Sequence, residues 1–215
     1  MQKTLRILLT GFQPWAGFDP NPSEEVAKAF NNKKIGRGIV SSIILPVSFK
    51  KCFEVLKKGF EREGRPDIFI GLGLMPFASA IQIERVAINI KDYDGVPDND
   101  GERPVDEPIV AGGPNALFST LPIRKIVENL NKAGIPAIIS NSAGTHCCNL
   151  IMYNVLYYLS ERGWNIPAGF IHLPFLPQNI KQIMHKPQNT PGLPLDVMVR
   201  ALQLSIETIL EYLDS

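Results

Sequence analysis

The stretch IPAIISNSAGTHCCNLIMYNVLYYL, residues 135–159, joins a short apolar run to a longer one through a turn of small residues. Ile135 to Ser140 has the length and composition of a buried strand, and Leu150 to Leu159, closed by Gly163, those of a buried helix. The tight connection is Ser142-Ala143-Gly144-Thr145. A strand–turn–helix of this kind puts Cys148 near the first helical turn, where unpaired backbone N–H groups and the helix dipole favour a negative charge. A thiolate there is a nucleophile. The other reading of the same residue is a buried structural cysteine.

Immediately after the cysteine helix, Pro167 to Phe175 (PAGFIHLPF) reads as a strand with His172 inside it. A histidine in an apolar strand is compatible with a hydrogen-bonded core residue. The strand–helix–strand crossover, however, places both strands in one sheet, and ligand sites in open parallel sheets gather at the carboxyl ends of strands. Cys148 and His172 are both expected near such ends. The other two histidines differ: His146 directly precedes the cysteine pair, and His185 falls in a polar loop, IMHKPQN, where exposure is expected.

Upstream, Ile123, Ile126, Val127, Leu130 and Ala133 keep helical spacing and stop at Gly134. The segment Ala80–Ile90 (AIQIERVAINI) alternates as a strand does, but its apolar phase slips between Glu84 and Val86. Glu84 thereby joins the face of Val86, Ile88 and Ile90. It is either on an exposed edge or bulge, or an acid held against a cationic or imidazole partner. Between them, residues 91–119 are rich in Asp, Pro and Gly and show no period, so a long irregular excursion is expected, functional or at a subunit contact. DYDGVPDNDGE lacks the ligand spacing of an EF-hand, and no metal is expected.

The first part of the chain repeats the strand-and-helix rhythm. Leu5–Thr10 is a strand leading into the loop GFQPWAGFDPNPS, which ends in a helix start with Asn21 as cap and Pro22 in the first turn. Ile39–Val47 is a strand. Ser48 caps a helix whose apolar side holds Phe49, Cys52, Phe53, Leu56 and Phe60, with Cys52 as core. Pro66–Gly73 (PDIFIGLG) is a buried strand ending in glycines; GxGxxG is absent, and the loop reads as a place where backbone approaches a ligand. Leu195–Leu213 is a C-terminal helix. The expected architecture is a single α/β domain over residues 1–215, an open, largely parallel twisted sheet with helices on both faces.

Composition narrows the function. The net charge of +1 carries no footprint for nucleic acid or an anionic membrane, and no apolar run approaches a membrane span. The three cysteines are an odd number without CxxC spacing, which fits reduced thiols. Met1–Thr4 runs straight into a strand, so a cytoplasmic protein is expected.

The segments carrying Cys148, His172 and Glu84 resemble the pyroglutamyl peptidase I (pyrrolidone carboxyl peptidase) family of cysteine exopeptidases. The resemblance runs through GFQPWAGF…NPS at 11–23, PDIFIGLGL at 66–74, IERVAIN at 83–89, PDNDG at 97–101, DEPI at 106–109, NSAGTHCCN at 141–149 and GFIHLPF at 169–175. It implies Cys148, not Cys147, as nucleophile in the AGT-x-x-CN motif, His172 as its base and Glu84 as the acid that orients the imidazole. The implied substrates are peptides with N-terminal pyroglutamate, cleaved through a thioester without cofactor or metal. Phe12 and Trp15 of the first loop and Leu74 of the second are the implied substrate-binding residues, with Asn21 at the end of the first loop. The resemblance also implies a homo-oligomer, dimer or tetramer.

The chain departs from that family in three places. Pro76-Phe77-Ala78 replaces a run ending in Gly-Arg, Gly95 stands where an arginine is common, and His146 stands where a bulky aromatic is common. Two rival readings follow: a non-catalytic protein binding a small cyclic amide, and a redox pair of Cys147 with Cys148. Adjacent cysteines close only a strained ring, which ranks the latter last.

Overall fold

The computed structural model describes residues 3–93, 95–183 and 189–214, so His185 lies outside the described residues. In chain order the elements are β1 (Leu5–Phe12), α1 (Pro22–Phe30), β2 (Lys34–Ile35), β3 (Gly38–Leu45), α2 (Cys52–Glu63), β4 (Ile68–Leu74), β5 (Ile81–Glu84), β6 (Val86–Ile88) and β7 (Ala116–Phe118). Then come α3 (Ile123–Lys132), β8 (Ala137–Ser140), α4 (Cys147–Glu161), β9 (Ala168–Leu173), α5 (Pro177–Gln182) and α6 (Leu195–Leu213).

A seven-stranded sheet in the order β2-β3-β1-β4-β9-β5-β8 forms the centre, with β6 and β7 paired beside it. The pairs β3–β1, β1–β4, β4–β9 and β5–β8 are parallel. The central strands are buried on both faces, which is why β4 reads IFIGLGL without alternation. Helices α1, α3 and α6 cover one face with an apolar cluster around Phe30, Ile126, Leu130 and Ile206. Helices α2 and α4 cover the other around Leu56, Phe69, Tyr153 and Phe170, with Cys52 fully buried among them. The expected α/β layering is present. Among the described residues no helix is long and apolar enough to cross a membrane.

The structure differs from the sequence reading in the direction of two strands. β8 and β9, joined by α4, share the sheet as expected but are neither neighbours nor parallel. β5 lies between them, parallel to β8 and antiparallel to β9, with Gln82 opposite His172. The chain from Ser140 therefore turns back before α4 begins, and only His172 of the expected pair sits at a strand's carboxyl end.

The phase slip at Glu84 is a break. β5 ends at Glu84 and belongs to the large sheet, whereas β6 starts at Val86 and pairs with β7. β7 itself lies inside the stretch expected to be irregular. Ser48 does not cap α2 directly: its hydroxyl accepts the Lys51 N–H, closing a turn ahead of Cys52. Asn21 does cap α1, its side chain accepting the Ser23 N–H at 3.0 Å.

Candidate active site

Three chain segments far apart in sequence meet over the middle of the sheet. Cys148 is the second residue of α4, whose first turn has no side-chain cap. Its Sγ lies against Gly73 of β4, where a Cβ would come within 2.7 Å of the sulfur. Gly73 is the register partner of His172 on β9, so the strand pair that positions the glycine also presents the imidazole. Cys148 and His172 face the same cavity, with the sulfur near enough to act on the imidazole's charge.

Behind the imidazole stands Glu84. Its Oε1 is 2.7 Å from His172 Nδ1, with both residues buried. Glu84 Oε2 has no hydrogen-bond partner. Glu84 can reach His172 because β5 runs antiparallel beside β9 and ends there. Of the two sequence readings of Glu84, the acid held against an imidazole is the one realised. Burial pulls the His172 pKa down, but the Cys148 charge, together with Glu84, outweighs it and pushes the ring up to about 10. The arrangement holds a proton on His172 between a sulfur and a carboxylate.

Cys147 points elsewhere. It is almost completely buried beside Cys52, and burial first, then the Cys52 hydrogen bond, push its thiol well above the usual range. A protonated thiol in the core is a poor nucleophile.

Cys148 and His172 open onto a cavity of about 210 Å³ whose wall is mostly apolar. Phe12, Trp15, Asn21 and Leu74 all line it, as do Val47, Met75, Pro76, Tyr93, Thr145 and His146. Trp15 is pinned by its indole N–H, which donates to the Pro97 carbonyl at 2.7 Å. Asn21 borders the cavity with its polar atoms engaged, Nδ2 donating to the Gln13 carbonyl and Oδ1 accepting from Ser23. Among the described residues no group of three or more His, Cys, Asp or Glu is placed to hold a metal ion.

A model of the family described as pyroglutamyl peptidase matches residues 5–212. The chain belongs to the pyroglutamyl peptidase family. The pyrrolidone-carboxylate peptidase of Pyrococcus furiosus is 46% identical over 97% of this chain and 100% of its own length. That of Thermosipho africanus is likewise 46% identical, over 98% of this chain and all of its own length. The solved pyrrolidone carboxyl peptidase of Thermococcus litoralis superimposes with a TM-score of 0.92 at 42% identity, covering 98% of this chain and 95% of that one.

Within a pyroglutamyl peptidase framework, two of the three departures seen in the sequence acquire physical reasons. Gly95 lies under Tyr93: a Cβ there would meet the tyrosine ring at 2.8 Å, so a side chain is excluded while Tyr93 keeps its place. Tyr93 in turn packs edge-on against Trp15 and His146. His146 sits among three rings, Trp15, Phe49 and Tyr93, at centroid distances of 4.7–4.8 Å. Its Nε2 is buried without a partner, and burial, only partly offset by Asp98, lowers its pKa to about 4. At neutral pH the imidazole is an uncharged aromatic plate, and this part of the cavity wall stays neutral.

Sequence reasoning assigned no role to Asn149, which follows the cysteine. It is fully buried, and its amide acts as a strand partner for the end of β6 and the chain just after it: Oδ1 accepts the Ile88 N–H at 2.9 Å, and Nδ2 donates to the Ile88 and Ile90 carbonyls at 2.9 and 3.0 Å. This clamps the start of α4 to the segment leading to Tyr93. The available signal was an amide inside an otherwise apolar helix, which must find partners when buried. Tyr93 was legible only as an aromatic in a loop of Asp, Pro and Gly.

Proposed function

We propose that this chain is a cysteine exopeptidase that removes N-terminal pyroglutamate from peptides, with Cys148, His172 and Glu84 as its catalytic triad. The observation that carries the reading is the buried His172–Glu84 pair with Cys148 beside it, opening on a mostly apolar cavity in a member of this family. Pyroglutamate is a flat, uncharged lactam, and a wall of Phe12, Trp15 and Leu74 with a few backbone groups suits it.

The Cys148 sulfur attacks the carbonyl carbon that follows the lactam ring, and the carbonyl π electrons move onto oxygen. Backbone N–H groups at the uncapped start of α4, that of Cys148 included, stabilise this oxyanion. His172 delivers its proton to the departing amine as the C–N bond breaks, leaving a thioester. Water, deprotonated by His172, then attacks the thioester, releasing 5-oxoproline and regenerating the thiolate beside the imidazolium. Glu84 holds the ring's orientation and stabilises its charged form.

The chain acts as one catalytic domain in the cytoplasm. Val105, Phe118 and Ile138, apolar yet exposed, support assembly into a homo-oligomer.

The test is release of a chromophore from a pyroglutamyl amide by the natural protein, Cys148→Ala and Cys147→Ala. Loss of activity with Cys148→Ala alone is expected. Activity surviving that change would overturn the mechanism, and an inactive natural protein that still binds 5-oxoproline would make it a binding protein.

A further inference from the structure

Phe77 is a large aromatic side chain left 52% exposed next to the cavity, since Pro76, its neighbour, lines the wall. Its backbone is in the left-handed region, φ 62°, which non-glycine residues adopt only at a cost. An exposed phenylalanine gains little of the burial that would offset such a cost. The ring is nonetheless ordered by contact: it stands edge-on against Phe175, centroids 5.4 Å apart, and Phe175 packs at 4.8 Å against Phe18 of the first loop. Phe77 is thus anchored by the fold on one side while about half of its surface is left to solvent.

The position of this ring relative to the chemistry follows from the sheet. β4 and β9 are parallel neighbours, with Gly73 opposite His172 and Leu74 opposite Leu173. Continuing past those pairs, the two chains reach Phe77 and Phe175, which meet beyond the carboxyl ends of the strands. On the reading above, the lactam ring occupies the cavity near Phe12 and Trp15, and the departing amine must lie on the side of His172, which protonates it. The residue following pyroglutamate is then directed towards the strand ends that carry Phe77 and Phe175.

We propose that Phe77, backed by Phe175 and Phe18, forms a subsite for the side chain of the residue that follows pyroglutamate, and that the enzyme prefers peptides with an apolar, above all aromatic, residue there. The inference rests on the function proposed above. An aromatic side chain laid on an exposed ring removes apolar surface from water on both partners and adds ring–ring geometry, while alanine at that position reaches neither.

Initial rates of pyroglutamyl-phenylalanine amide and pyroglutamyl-alanine amide cleavage, read as released 5-oxoproline, test it. The natural protein is expected to favour the phenylalanine peptide about tenfold in kcat/KM. Phe77→Ser should bring the ratio to about one, and Phe77→Leu should keep most of it. Phe77→Gly, which also relaxes the backbone, should behave as the serine variant does. Equal rates on both peptides with the natural protein would overturn the inference and leave the peptidase reading standing. So would an unchanged ratio in Phe77→Ser, with a change in sedimentation marking the ring as a subunit contact. Cleavage of neither peptide would remove the peptidase reading, and the subsite with it.

Discussion

Gly73 and Cys148 are in contact across the sheet: the sulfur rests where the Cβ of any other residue at 73 would be, 2.7 Å from that position. The same Cβ would meet the buried Phe170 ring at 2.9 Å, so neither neighbour can yield without moving the other. Gly73→Ala should therefore displace the Cys148 sulfur. Because misplacement by about 1 Å costs on the order of a hundredfold in rate, kcat on a pyroglutamyl amide and the rate of Cys148 alkylation by iodoacetamide should both fall steeply. Overpacking should also lower stability by about 1–3 kcal/mol. Unaltered alkylation would show that the contact does not position the sulfur.

Glu84→Gln keeps the side chain's shape and removes its charge. The amide can still accept from His172 Nδ1, so the fold should persist, but the imidazolium loses a stabilising partner. A fall in kcat of about a thousandfold is expected. If kcat drops by less than tenfold, the carboxylate does not serve as the third member of the triad.

His146→Phe replaces a buried imidazole whose Nε2 lacks a partner with a ring of similar shape. Removing an orphaned polar atom should stabilise the protein by about 1 kcal/mol at pH 7. The acid limb adds a sharper expectation. The folded pKa, about 4, lies below the ordinary 6.5, so the unfolded chain takes up a proton that the folded one refuses. Stability linked to His146 is thus fully present above pH 6.5 and is lost as pH falls towards 4. Urea midpoints measured from pH 7 to pH 4 should decline less in His146→Phe than in the natural protein; parallel declines would contradict this.

For His172 the sign is opposite. Its folded pKa of about 10 exceeds 6.5, so its contribution to stability is complete below pH 6.5 and is lost as pH rises through 10. Chemical denaturation between pH 7 and pH 10 should show a downward slope that is shallower in His172→Gln. Only the slopes are compared, because the variant also leaves the Glu84 carboxylate unpaired in the core. Equal slopes would mean that the ring is neutral in the folded protein.

Much of this site was legible because its chemistry depends on local patterns. The uncapped helix start at Cys148 follows from a small-residue turn before an apolar run, and the break after Glu84 showed as a slipped alternation. Strand direction was not legible, since an apolar run such as β8 is equally suited to either orientation in a buried sheet. β7 escaped notice because its three residues, Ala116–Phe118, are partly or fully exposed and carry no apolar period. Asn149 and Tyr93 take their roles from partners some 60 positions away, as in the bonds from Asn149 to Ile88, which spacing along the chain does not encode.

The order of strands in the sheet has a consequence for the chain during its synthesis. β4 and β5 are consecutive in sequence, yet they are separated in the sheet by β9, a strand made almost 90 residues after β5, as the 88-position gap between Glu84 and His172 records. A ribosome-bound chain that has not yet extruded β9 carries Cys148 and Glu84 but not the His172 that stands between them. The buried pair of Glu84 and His172 arrives with the insertion of one late strand into the middle of the sheet.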